Sequence, residues 1–131
     1  MFTRVTLAAA LAVSLGLAAQ TALAGAGDYA LELVETTRPV GAGAILTVRL
    51  TDLRSGAPVE DAVIFATRMD MAPDGMAGMT TPVTLLPVEA PGLYRFATDL
   101  TMAGHWRFSV AVKVQGEAET VAAALVLQAG P

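Results

Sequence analysis

The chain contains no cysteine. That excludes thiolate metal sites, thiol redox chemistry and cysteine nucleophiles, and leaves methionine, histidine and carboxylates as the available ligands. An exported domain needs no disulfide when its core is large enough. Histidine is almost as scarce: His105 stands alone. With a single imidazole and no thiol, a standard hydrolytic zinc site is not expected. There is no basic run or patch, so nucleic acid is not an expected partner. There is no Ser/His/Asp order around a nucleophile elbow and no phosphate-cradling glycine loop ahead of a helix. The carboxylates of Glu60 and Asp61 sit beside a turn and read as solvated. The sequence therefore indicates no enzyme class.

What is present begins with an address. Arg4 supplies a short positive region, and Val5 to Ala19 is an apolar run of mostly Ala, Leu and Val. Ala22-Leu23-Ala24 then has the small-x-small form that a signal peptidase accepts. The run is shorter than the roughly 18 to 20 apolar residues that span a bilayer. The expectation is a signal-peptide helix over 1–24, cleaved after Ala24, export to a bacterial periplasm, and no stable membrane insertion afterwards. The competing reading is a retained anchor. Residues 25–131 then form one domain of common size. Seven basic residues face twelve acidic ones in it, a net charge near −5.

The hydrophobic period in this domain is two rather than 3.6. Tyr29, Leu31 and Leu33 alternate with more polar neighbours, as do Leu46, Val48 and Leu50. Tyr94, Phe96 and Leu100 share a face. Trp106, Phe108, Val110, Val112 and Val114 share another, with His105, Arg107, Ser109 and Lys113 opposite. Val121, Ala123, Leu125 and Leu127 form a last inward row. This segment is Ala-rich, so a helix competes, but the tight turn Gln115-Gly116-Glu117 favours strand pairing. A third strand is expected over about Val59 to Met69, and a short one over Val83 to Val88. The sum is an all-β antiparallel sandwich of about seven strands, since each apolar face must be hidden against another.

One composition anomaly remains. Four of the five methionines beyond Met1 fall in a single stretch, Met69, Met71, Met76 and Met79, which the glycines and prolines of Asp70 to Pro82 make an expected loop. A thioether is neutral and polarizable, needs no deprotonation, and suits Cu(I). Met69 and Met71 are two apart, so extended backbone sends both sulfurs to the same side. Gly75 and Gly78 let the stretch fold back and bring Met76 and Met79 toward them. Met102 precedes another strand and approaches from a neighbouring loop, with His105 as an imidazole completion that would also accommodate Cu(II). Two other readings stand beside this one. Methionine is a flexible gap filler in cores, and an exposed Met surface is an adaptable docking patch. His105 alone reads as an ordinary exposed residue, and Trp106 as core. Asp70 and Asp74 either draw a cation or cap local turns.

These pieces together resemble a known family. Leu46-Thr47-Val48-Arg49-Leu50-Thr51-Asp52 and Gly56-Ala57-Pro58-Val59-Glu60-Asp61-Ala62 stand in its order. They are followed by Gly75-Met76-Ala77-Gly78-Met79, then Pro91-Gly92-Leu93-Tyr94, then Met102-Ala103-Gly104-His105-Trp106. In order and spacing they resemble the YtkA-like/FixH-like domain of exported bacterial proteins. The resemblance implies an immunoglobulin-like sandwich. It also implies periplasmic work around heavy metals, with copper-handling, efflux or oxidase-assembly proteins as partners. The chain departs from that pattern in two ways: its Met stretch holds no histidine, and its N-terminus reads as cleavable rather than as a retained helix. The expectation is a non-enzymatic copper module that uses Met69, Met71, Met76, Met79, Met102 and His105. The alternative is a metal-free module that docks through the same stretch.

Overall fold

The computed structural model describes residues 26–130. The expected leader lies outside the described residues. A 3-10 turn at Ala26–Asp28 leads into nine strands. They are β1 (Tyr29–Leu33), β2 (Thr37–Arg38), β3 (Gly41–Asp52), β4 (Val63–Met71), β5 (Met76–Thr81), β6 (Val83–Leu85), β7 (Leu93–Leu100), β8 (Gly104–Lys113) and β9 (Thr120–Ala129). A second 3-10 turn, Ala72–Asp74, joins β4 to β5. Among the described residues no helix is long and apolar enough to cross a membrane.

The strands form two sheets. One has the order β1-β3-β7-β6, the other β2-β9-β8-β4-β5. Every pairing is antiparallel except that of β2, which runs parallel to the end of β9. The alternating residues fill the space between the sheets as their period requires. Leu46, Val48 and Leu50 of β3, Phe96 of β7, and Trp106, Phe108 and Val112 of β8 are all buried. Phe96 and Phe108 meet across the gap edge-to-face, ring centroids 4.9 Å apart and planes at 61°. Burial of each such side chain favours folding by about 1.5–3 kcal/mol before conformational entropy is counted.

Seven strands occur where alternation places them, and the Ala-rich segment is strand β9, paired along its length with β8. Two strands, β2 and β5, lie outside the expected set. β2 is only two residues long, too short for any period to show. β5 falls in the stretch read as loop, because its sequence Met-Ala-Gly-Met-Thr-Thr has little alternation and only Thr81 is buried. The expected loop over Asp70 to Pro82 is therefore a short hairpin. β4 continues to Met71, and β5 returns beside it with a register shift between Asp70 and Met71.

Candidate functional site

The hairpin of β4 and β5 and the start of β8 make up one end of the sandwich. Its geometry starts with alternation on β4. Met69 and Met71 do leave the strand on one side, and that side is the core: both are 0 % exposed. Met69 lies opposite Phe108 in the β4–β8 ladder. These two thioethers are packing residues, sealed from any ion that approaches from solvent. They fall inside because Arg68 and Asp70 take the outer positions of the same strand.

Asp70, between them, is fully buried. Its Oδ2 accepts hydrogen bonds from Arg68 Nε at 2.8 Å and Arg107 Nη2 at 3.0 Å. Oδ1 accepts from the Ala72 amide at 2.9 Å, which holds the start of the 3-10 turn. Burial works against the charge, but the Ala72 amide and the two guanidiniums outweigh it and keep the carboxyl below its usual range. Arg68 also donates to the Ala77 carbonyl at 2.9 Å, tying β5 down over the same cluster. Asp70 is thus the internal strut of the hairpin and not a free cation ligand.

The turn ends at Gly75, in left-handed conformation (φ 75°), whose N–H returns to the Ala72 carbonyl at 2.9 Å. This fixes Asp74, which reaches across to β8. Oδ2 accepts from the His105 backbone N–H at 2.7 Å, and Oδ1 lies 3.1 Å from His105 Nδ1. The backbone bond holds Asp74 below the usual carboxylate range; burial works against it, and the ring adds a smaller effect in the same direction as the backbone bond. His105 itself is half-exposed.

The other three described methionines reach solvent. Met76 is 36 % exposed, Met79 39 % and Met102 37 %. Met76 is the β-partner of Met71, two residues beyond Asp74. Met79 lies in the irregular part of β5 just before Thr80, which pairs with Asp70. The Met102 carbonyl accepts the Trp106 indole N–H at 3.1 Å, so this loop is anchored on the buried ring while the side chain stays outside. The fold thus carries Met76, Met79, Met102 and His105 at one end and withdraws Met69 and Met71.

Sequence reasoning missed the part played by Arg68, Arg107 and Asp74. The signal for Arg68 was its spacing of two from Asp70, which puts both on one face of a strand; Arg107 reaches them only through the β4–β8 pairing. No local pattern could have shown that Asp74 meets His105, 31 residues away. Among the described residues no group of three or more His, Cys, Asp or Glu side chains is placed to hold a metal ion. A cleft of about 430 Å³ over β4, β8 and β9 and another of about 610 Å³ beside Glu60, Glu89 and Tyr94 contain neither a methionine nor His105.

A family model described as YtkA-like matches residues 23–111. The chain belongs to the YtkA-like family. The match covers the whole Met-bearing hairpin and His105, and ends within β8. No curated protein matches this YtkA-like chain. Among solved structures it is similar to the ZirS C-terminal domain, at 12 % identity over 80 % of this chain and 67 % of that one, with a TM-score of 0.47. It is also similar to the Yersinia pseudotuberculosis adhesin InvE, at 17 % identity over 81 % of this chain, with a TM-score of 0.46. The YtkA-like chain spans 27 % of that adhesin's length.

Proposed function

We propose that this YtkA-like protein is a non-enzymatic, exported copper-binding or copper-delivery module, and that its site is the sandwich end bearing Met76, Met79, Met102 and His105. The observation that carries this reading is the partition of the methionines. Of the five described methionines two fill the core, and the three others stand partly exposed on segments that also meet at the Asp74–His105 contact. Exposing a large thioether loses the burial that methionine otherwise gains. Soft, neutral sulfur is the donor that Cu(I) prefers, and an imidazole beside it accommodates either oxidation state. Partial exposure also suits transfer, because an incoming donor from a copper-handling, efflux or oxidase-assembly partner can reach the ion.

The test is a Cu(I) competition titration against a chromophoric chelator. The native protein should hold Cu(I) well above the level of a variant with Met76, Met79 and Met102 all changed to Leu. Equal binding by the two would end this reading.

Exposure of the same three residues also favours the metal-free docking reading. The two differ in their response to chelation. Partner capture that survives a copper chelator, yet is lost when the three methionines become Ser, would establish docking instead.

A further inference from the structure

The copper reading leaves one question at the imidazole: which nitrogen is the donor. A neutral imidazole has one N–H and one lone pair, and the bond made by one nitrogen decides what the other can do. Asp74 is bound on both sides here. Oδ2 is taken by the His105 backbone N–H, which can only donate. Oδ1 then faces Nδ1 at 3.1 Å. A carboxylate only accepts, so this contact is a hydrogen bond only when Nδ1 carries the proton. Nε2 is then bare in the neutral ring, and no described residue hydrogen-bonds it.

The surroundings are built for this contact. Pro73 and the left-handed Gly75 fix the turn that carries Asp74. Gly104 leaves the space: a β-carbon there would lie 2.4 Å from Asp74 Oδ2. The carboxylate therefore rests against bare backbone and reaches amide and ring together.

Resting on the copper reading, we propose that Asp74 is a positioning residue that holds the His105 proton on Nδ1 and presents the Nε2 lone pair outward as the nitrogen donor of the methionine site. The arrangement is the carboxylate–histidine–metal relay, in which the outer carboxylate sets both tautomer and ring orientation.

The first experiment uses metal-free protein. Long-range ¹H–¹⁵N spectra of the neutral ring should show a protonated Nδ1 and a bare Nε2. In Asp74→Asn the amide oxygen is still needed by the His105 backbone N–H, so the NH₂ group faces Nδ1 and should drive the proton to Nε2. Native protein already protonated on Nε2 would overturn the proposal, whatever the metal does. The second experiment adds Ag(I), a redox-inert substitute for Cu(I). The Nε2 resonance should shift together with the Met76, Met79 and Met102 methyl signals, and Asp74→Asn should weaken binding about tenfold. Movement of the methyls without Nε2 would overturn this proposal and leave the thioether site standing. Movement of neither would overturn both. Should Asp74→Asn fail to fold, the native tautomer and the native Ag(I) shifts still decide.

Discussion

The terminal methyl of Met71 lies 2.7 Å from where a β-carbon on Gly104 would stand. The same β-carbon would stand 2.4 Å from Asp74 Oδ2, so it would crowd the core and the candidate site together. Gly104 has a φ of 142°, a region that residues with a side chain rarely adopt. Gly104→Ala should destabilise the protein by about 1–3 kcal/mol, since strain and crowding add. The inserted methyl also pushes on Asp74, so the His105 backbone amide should lose protection in hydrogen exchange beyond that of its β8 neighbours. Thermal melting and amide exchange on the same variant check both parts.

Tyr94 offers a second test, remote from the methionines. Its hydroxyl donates to the Val59 carbonyl at 2.8 Å and accepts from the Ala62 amide at 3.1 Å. It thereby clamps the connection into β4. Burial pushes its ionisation up, and the Ala62 amide only partly offsets that. Tyr94→Phe leaves a carbonyl and an amide without this partner and should cost about 1–2 kcal/mol in denaturant unfolding. Copper affinity should not change.

Much of this architecture was legible because β-strands betray themselves by alternation. The row from Trp106 to Val114 is buried throughout, and His105, Arg107 and Ser109 lie on the other face. The Met stretch resisted the same reading. Alternation puts Met69 and Met71 on one side, but it cannot say which side is the core once the neighbours include Asp70. A carboxylate there argues for solvent until Arg68 and Arg107 are seen to close over it. The Asp74–His105 contact is set by β4–β8 pairing, a long-range feature that local patterning does not encode.

Asp70 makes acid sensitivity a prediction with a sign. Its folded-state pKa is lowered, so the carboxylate form is the one the fold favours. A group of that kind stabilises fully above its unfolded pKa, about 3.9, and loses the contribution as pH falls through the lower folded value. Stability should thus begin to drop below about pH 4 and keep falling toward the folded pKa. Asp70→Asn should remove this part of the slope. At neutral pH the same change should cost about 1–3 kcal/mol, less than for a sealed ion pair because both arginines are partly solvated. Urea unfolding of both proteins at neutral and acidic pH measures the two effects. An unchanged acid slope in Asp70→Asn would show that other carboxylates carry it.

The methionine partition can be tested by two kinds of Leu substitution with opposite readouts. Met69 and Met71 are fully enclosed, so Leu keeps volume and loses only fit, at a cost under about 1.5 kcal/mol. Their sulfurs face the core, so Cu(I) affinity should stay at the native value. Met102→Leu should behave in reverse. Its side chain is exposed, and the Trp106 indole bonds its backbone carbonyl, which Leu retains. Stability should move by no more than about 0.5 kcal/mol, while Cu(I) binding weakens. Paired melting curves and competition titrations on Met69→Leu and Met102→Leu would show whether stability and metal affinity separate along the line between buried and exposed sulfur. Loss of copper in Met69→Leu with none in Met102→Leu would place the donors inside the sandwich and remove the exposed end as the site.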